Sequence, residues 1–296
     1  MSRNSPRERV DNLIRVLQLE QIETDIFRGP RTGEPWVRVF GGEVIGQALM
    51  AACRTVDVAR PVHSLHGYFM RPGDPNAPIL YQVARDRDGK SFTSRRVVAI
   101  QHGQPILNLA ASFQVVESGL SHQVPMPNVP GPDGLLNESQ LWSQWVDQIP
   151  EAQRPLVLRE RSIEFRPVQV RGPGEHAPSE PLQYYWMRAV APLPPDQTLH
   201  RVMLAYASDW MLLSTSTLPH GVSWFADNMQ EASLDHALWI HEDIRMDEWL
   251  LYVQDSPWSG HARGMNRGLI YTQDGKLVAS VAQEGLIRVR GPVGIA

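Results

Sequence analysis

The stretch GGEVIGQALMAACRTVD, residues 41–57, is the best starting point for the architecture of this chain of 296 residues. Between residues 43 and 57 the apolar side chains recur at helical spacing and form one stripe, made of Val44, Ile45, Ala48, Leu49, Ala52, Cys53 and Val56. Strand-like runs follow at 62–70, 79–86, 91–101 and 105–116, the last two joined as a hairpin across His102-Gly103. A helix followed by several antiparallel strands is the order expected when a sheet wraps around a central helix.

The same order of elements returns in the second half of the chain. Residues 118–158 are rich in proline and glycine, contain a short helical stretch near 138–148, and are typical of a linker. After this linker the sequence predicts a helix near 208–219, followed by strands at 232–240, 249–254, 263–273 and 276–289, with a turn at Asp274-Gly275.

The two halves also match in residues, since Ser64-Leu65 corresponds to Ser233-Leu234 and Arg95 to Arg267. A repeat of this size predicts a duplicated α+β domain rather than a solenoid. We therefore expect a first domain over 1–117, a linker over 118–158 and a second domain over 159–296. The alternative is a pair of unrelated α+β halves that share their order of strands.

Composition and charge exclude several classes of function. The formal net charge of −4 argues against a broad binding surface for nucleic acid or for an anionic membrane. No run of about 18 uncharged apolar residues is present, so we expect no integral membrane segment. The start MSRNSPRERV lacks the apolar stretch of a signal peptide, and the single cysteine, Cys53, allows no intramolecular disulfide. These features predict a cytoplasmic protein.

Three polar residues of the second half stand where the repeat alone does not require them. Gln283 lies on the apolar face of the last strand where the first half has Ala111, and it is either a satisfied core amide or a ligand contact. Asp209 precedes the apolar run 210–213 and reads as a cap at the start of the second central helix, or as a proton acceptor between helix and sheet. Periodicity leaves the direction of the Ser233 hydroxyl open.

Other chemical signals are weak. The chain has no Gly-x-Ser-x-Gly motif of a serine hydrolase. His63 and His66 would point to opposite faces of a strand, so neither a metal site nor a cofactor is predicted. The glycines at the start of the first central helix, Gly41 and Gly42, could cradle a phosphate, but tight helix packing is the other interpretation.

Two stretches of the first half are distinctive, VFGGEVIGQAL at 39–49 and HSLHGYFMRPGD at 63–74. Three more lie in the second half, YASDWMLL at 206–213, ASLDHALWIH at 232–241 and YTQDGKLVASVAQEGLIR at 271–288. With these stretches the chain resembles the type II acyl-CoA thioesterases, the TesB-like proteins, from about residue 10 to residue 290.

The resemblance implies a double hotdog, that is, two tandem hotdog domains in which an antiparallel sheet wraps around a central helix. It implies a fatty acyl-CoA substrate, and it carries the family's catalytic aspartate, hydroxyl residue and glutamine onto Asp209, Ser233 and Gln283. Some members have threonine in place of Ser233. Further candidates for substrate contact, including contact with the CoA phosphates, are Gly41, Gly42, His66, Arg95, Arg96, His236 and Arg267. We also expect a homo-oligomer, either a dimer or a tetramer.

The mechanism expected from these residues is hydrolysis by a water molecule that Asp209, Ser233 and Gln283 hold, with Asp209 as general base and no covalent intermediate. Two alternatives stay open. One is a hotdog hydratase or dehydratase acting on an enoyl-CoA, with Asp209 and His236 as an acid–base pair. The other is a protein that binds acyl-CoA without catalysis.

Overall fold

The computed structural model describes residues 4–30, 38–174, 177–222, 226 and 228–290. Its first half comprises α1 (Pro6–Leu17), β1 (Glu20–Glu23), β2 (Ile26–Gly29), α2 (Gly41–Cys53), β3 (Val62–Phe69), β4 (Ile79–Asp88), β5 (Phe92–Gln101) and β6 (Gln104–Gln114). The hairpin expected at His102-Gly103 is confirmed, and both residues have positive φ, 48° and 71°.

Between the two halves lie α3 (Glu138–Gln144), 3₁₀ turns at Val146–Gln148 and Glu151–Gln153, and α4 (Arg154–Val157). The second half comprises β7 (Ile163–Pro167), β8 (Leu182–Ala189), α5 (Gln197–Ser208), a 3₁₀ helix at Leu213–His220, β9 (Met229–Ser233), β10 (Asp235–Ile240), β11 (Leu250–Gly260), β12 (Arg263–Thr272) and β13 (Leu277–Val289). None of the helices within the described ranges is long and apolar enough to cross a membrane.

The strands form one continuous antiparallel sheet in the order β1-β2-β4-β5-β6-β3-β10-β13-β12-β11-β8-β7, with β9 paired to β13. The two halves meet where β3 pairs with β10, and Leu65 lies opposite Leu238 in that pair. We propose the boundaries 1–117, 118–158 and 159–296 for the two domains and the linker. With these boundaries β1–β6 belong to the first domain and β7–β13 to the second.

The helices α2 and α5 pack antiparallel against each other. A Cβ atom on Gly42 would lie 2.2 Å from the Tyr206 carbonyl oxygen, and one on Gly46 would lie 3.5 Å from the Val202 carbonyl oxygen. One cluster of buried apolar side chains joins both helices to the inner faces of both halves of the sheet. This is the architecture of a double hotdog, as the sequence led us to expect.

The helix predicted near 208–219 is wrong. The second central helix is α5, which ends at Ser208, and Asp209 follows its last turn instead of opening a helix. Met211 has a positive φ of 58°, which an α-helix does not allow, so the chain turns there before the 3₁₀ helix Leu213–His220 begins. The apolar run that resembled a helix therefore covers a turn and a 3₁₀ segment.

The proposed match between Arg95 and Arg267 is also wrong. Arg95 pairs with Ala111 of β6, whereas the residue of β12 that pairs with Gln283 is Asn266. If Ala111 and Gln283 correspond, Arg95 corresponds to Asn266. The burial pattern agrees, because Arg95 and Asn266 are buried whereas Arg267 is exposed.

Glu43 in the first turn of α2 is a buried carboxyl group, and burial raises its pKa to about 8 from an ordinary 4.5. The folded protein therefore keeps a proton that the unfolded chain loses, and stability should fall as the pH rises from about 4.5 to 8. We expect Glu43→Gln to raise the melting temperature relative to the parent at pH 8 but not at pH 4.5. Thermal unfolding across this range measures the difference, and a pH-independent difference would contradict the assignment.

Candidate active site

Asp209 lies where the end of α5 meets the beginning of α2. Its side chain is 5% exposed. A Cβ atom on Gly41, the first residue of α2, would lie 2.7 Å from Asp209 Oδ2. The carboxylate therefore stands beside the N-terminus of α2, where the helix dipole favours a negative charge.

Ser233 and Gln283 both point to the other oxygen of this carboxylate. Ser233 Oγ donates to Asp209 Oδ1 over a long 3.5 Å, and Gln283 Nε2 donates to the same atom over 2.5 Å. These residues are 24 and 74 positions from Asp209 in the chain. The structure thus brings the three predicted side chains together between the helices and the sheet.

The break between β9 and β10 explains the direction of Ser233. In one continuous strand, Ser233 and His236 would lie on opposite faces of the sheet. The strand predicted over 232–240 is instead interrupted at Leu234, whose N–H donates to the Glu284 carbonyl. Because of this interruption, Ser233 and His236 both reach the neighbourhood of Asp209 and Gln283.

His236 is fully buried, and both of its ring nitrogens are used inside the protein. Nδ1 lies 3.1 Å from Gln283 Nε2, and Nε2 lies 2.8 Å from Ser208 Oγ. Burial lowers the pKa of His236, and the nearby Asp209 carboxylate, 3.9 Å from Nδ1, opposes that shift. The prediction that His236 contacts the substrate does not fit this placement.

Asn266, the neighbour of Gln283 on β12, was not among the predicted site residues. Asn266 is fully buried, and its Oδ1, like Gln283 Oε1, has no hydrogen-bond partner within the described part of the chain. A buried acceptor without a donor is costly unless water or a ligand supplies one. The signal was available, because Asn266 is an isolated polar residue among the inward-facing positions Gly264, Gly268 and Ile270.

The N-terminus of α2 offers backbone N–H groups to the same space. Phe40 at the N-cap position makes no side-chain cap hydrogen bond. The first N–H groups of a helix lack partners within it, and here they belong to Gly41 and Gly42. These two predicted residues therefore stand beside Asp209.

Arg95, a candidate for phosphate binding, does not join the site. It packs beside Thr55, beyond the C-terminal end of α2, and this helix of 13 residues is about 20 Å long. All five of its N–H donors are used inside the protein, by Thr55 Oγ1, the Thr55, Arg87 and Ser94 carbonyls and Asp88. A free guanidinium is what phosphate recognition needs, so Arg95 is a structural residue.

The remaining candidates lie on the outer face of the sheet. His66 is exposed and packs edge-to-face on Trp239, with ring centroids 4.9 Å apart. Arg96 pairs with Asp86 at 3.3 Å, and Arg267 pairs with Asp255. These contacts place the three residues away from Asp209. Within the described ranges no group of three His, Cys, Asp or Glu side chains is arranged to hold a metal ion.

Comparison with known proteins agrees with this architecture. Residues 32–114 match the acyl-CoA thioesterase N-terminal domain, and residues 156–286 match the acyl-CoA thioesterase model. Human acyl-coenzyme A thioesterase 8 is 42% identical over 286 residues, which cover 94% of this chain and 89% of that protein.

Solved structures give the same result. An acyl-CoA thioesterase II from Mycobacterium marinum, TesB2, is 41% identical with a TM-score of 0.76, covering 96% of this chain and 99% of its own. A protein of unknown function with a hot dog fold from Alicyclobacillus acidocaldarius is 20% identical, has a TM-score of 0.76 and covers 95% and 98% of the two chains, which supports the fold alone. The chain therefore belongs to the acyl-CoA thioesterase family and is a double-hotdog thioester hydrolase.

Proposed function

We propose that the chain hydrolyses fatty acyl-CoA to a free fatty acid and CoA with a water molecule activated by Asp209. The observation that carries this proposal is the convergence of Ser233 Oγ and Gln283 Nε2 on Asp209 Oδ1. Two donors on one carboxylate oxygen leave Oδ2 as the oxygen that can accept a proton from water. A general base must lie within hydrogen-bond reach of the proton that it removes, and Oδ2 lies beside Gly41, the first residue of α2.

Gln283 Oε1 supplies the second contact for the water. This atom is buried and has no donor in the part of the chain that the structure describes. A water molecule between the two side chains would donate one hydrogen to Asp209 Oδ2 and the other to Gln283 Oε1. Its lone pair would then be free to attack the thioester carbonyl carbon.

The backbone N–H groups of Gly41 and Gly42 are our proposal for the group that stabilises the oxyanion. Preorganised donors of this kind act where negative charge develops in the transition state. When the tetrahedral intermediate collapses, the carbon–sulfur bond breaks and the proton held by Asp209 passes to the leaving thiolate. The products are a fatty acid, which keeps the OH of the water, and CoA, whose thiol receives the other hydrogen.

The hydratase alternative draws no support from the geometry. That reaction would need His236 to exchange a proton with the substrate, but its two ring nitrogens are bonded to Gln283 and Ser208. Release of a free thiol from short, medium and long acyl-CoAs, followed with an Ellman-type reagent, tests the proposal. Thiol release supports hydrolysis, whereas saturable binding or enoyl-CoA hydration without thiol release would contradict it.

Self-association and cytoplasmic location stay predictions. The outer face of the central strands exposes Tyr68 and Trp239, which are 64% and 37% exposed, and an apolar surface of this kind is commonly covered by another protein surface. We propose that a second copy of this chain covers it. Light scattering after size-exclusion chromatography measures the mass of the assembly.

A further inference from the structure

A chain of hydrogen bonds runs from the last turn of α5 to the proposed site. Ser208 Oγ lies 3.0 Å from the Ala205 carbonyl and 2.8 Å from His236 Nε2. We assign the single hydrogen of the Ser208 hydroxyl to the Ala205 carbonyl, which can only accept, because the opposite assignment would set an N–H on His236 Nδ1 against the N–H of Gln283 Nε2. Ser208 Oγ is then the acceptor for His236, and Nε2 of the imidazole carries the hydrogen.

This tautomer determines the orientation of the Gln283 amide. With the hydrogen on Nε2, Nδ1 of the neutral ring has a lone pair and accepts from Gln283 Nε2 at 3.1 Å. The other hydrogen of the same NH₂ group goes to Asp209 Oδ1. Both hydrogens of the amide are thereby donated, one to Asp209 and one to His236, and Oε1 points away from these two acceptors.

We propose that His236 is a positioning residue, which holds the Gln283 amide with its oxygen directed at the reacting water. The proposal rests on the function proposed above. In the resting enzyme Asp209 holds the amide as well, but it loses its negative charge when it takes the proton from water. His236 stays a neutral acceptor throughout the cycle, so its hold on the amide persists when that of Asp209 weakens.

A reversed amide shows why the hold matters. In the observed orientation two acceptors, Asp209 Oδ1 and the lone pair of His236 Nδ1, face the two N–H groups of Gln283. In the reversed amide, Oε1 would face these two acceptors instead. The NH₂ group would then point at the water and could not accept its hydrogen. His236 itself does not touch the reacting atoms, since its two ring nitrogens are bonded to Ser208 and Gln283.

The test compares His236→Asn with His236→Leu, two side chains of nearly the same size and shape. Asn keeps an acceptor close to the position of Nδ1, whereas Leu has none, and both lose the bond to Ser208. We expect kcat of His236→Leu to be about tenfold or more below that of His236→Asn, as expected for one lost orienting hydrogen bond, with KM within about twofold. Thiol release measures both constants, and circular dichroism with a melting curve checks the fold.

Equal kcat values in the two folded variants, whether near the parent or far below it, would overturn the proposal. Should His236→Leu fail to fold, Ser208→Ala replaces it, because this variant removes the acceptor that fixes the tautomer. We expect Ser208→Ala to lower kcat, and an unchanged kcat would overturn the proposal.

Asp209→Asn measured in parallel separates the positioning role of His236 from the proposed function. Full turnover in Asp209→Asn would refute the proposed function. If Asp209→Asn is inactive but His236→Asn and His236→Leu have equal kcat values, only the role of His236 is refuted.

Discussion

Asp209→Asn should lower kcat by about 10² to 10⁴-fold, the usual contribution of a general base, without loss of the fold. Asparagine keeps an Oδ1 that can accept from Ser233 Oγ, at 3.5 Å in the parent, and from Gln283 Nε2, at 2.5 Å, so neither donor loses its acceptor. The variant loses only the oxygen that takes a proton from water. Thiol release from a fatty acyl-CoA at saturating substrate measures the effect.

Asp11→Asn is the matched control for this substitution. Asp11 lies on the exposed surface of α1 and pairs with Arg7 at 2.7 Å, and such surface pairs contribute little to stability. The control makes the same chemical change outside the site, and we expect it to keep the parent turnover. Unchanged turnover in Asp209→Asn would remove Asp209 from the mechanism.

Gly42→Ala should destabilise the protein, although alanine ordinarily favours a helix over glycine by about 1 kcal/mol. The added Cβ would lie 2.2 Å from the Tyr206 carbonyl oxygen and 2.6 Å from a Phe40 ring carbon. A backbone oxygen cannot rotate away as a flexible side chain can, so α2 and α5 must move apart. Overpacking of this kind costs about 1 to 3 kcal/mol in the free energy of unfolding.

Urea unfolding of Gly42→Ala beside Gly131→Ala measures this cost. Gly131 lies in the linker, and a Cβ atom there would meet nothing within 4 Å. We expect Gly131→Ala to unfold close to the parent midpoint and Gly42→Ala to unfold earlier. The shift of α2 should also lower turnover, because its N-terminus stands beside Asp209. A Gly42→Ala protein as stable as the parent would show that the close approach of the two helices is not needed.

Part of the first half of the fold could be predicted from local patterns, but β1 and β2 were not predicted. The apolar stripe placed α2 correctly except at its ends, and the strands β3–β6 follow from alternation and from the turn at His102-Gly103. The second central helix was misplaced because the apolar run after Asp209 resembles the start of a helix, although Leu199, Val202, Met203 and Tyr206 recur at helical spacing within α5. Its buried polar residues find their partners far along the chain, such as Asp243 for Arg201.

The composition of the site could be predicted, but its geometry could not. Gln283 was recognisable as an amide on an apolar strand face, and Asp209 as a carboxylate next to an apolar run. The direction of Ser233 depends on the break at Leu234, which the period of two residues cannot reveal. Asn266 could have been found as an isolated polar residue of its strand face, but its position opposite Gln283 depends on the strand register.

The most direct test of the mechanism follows oxygen from the solvent during one turnover, with the enzyme in excess over acyl-CoA in ¹⁸O-enriched water. If a water held by Asp209 attacks the thioester, the fatty acid carries ¹⁸O from the first turnover and the peptide containing Asp209 stays unlabelled. A first product without ¹⁸O, together with ¹⁸O in the Asp209 carboxylate, would mean that this side chain attacks the thioester itself. That result would contradict general-base hydrolysis.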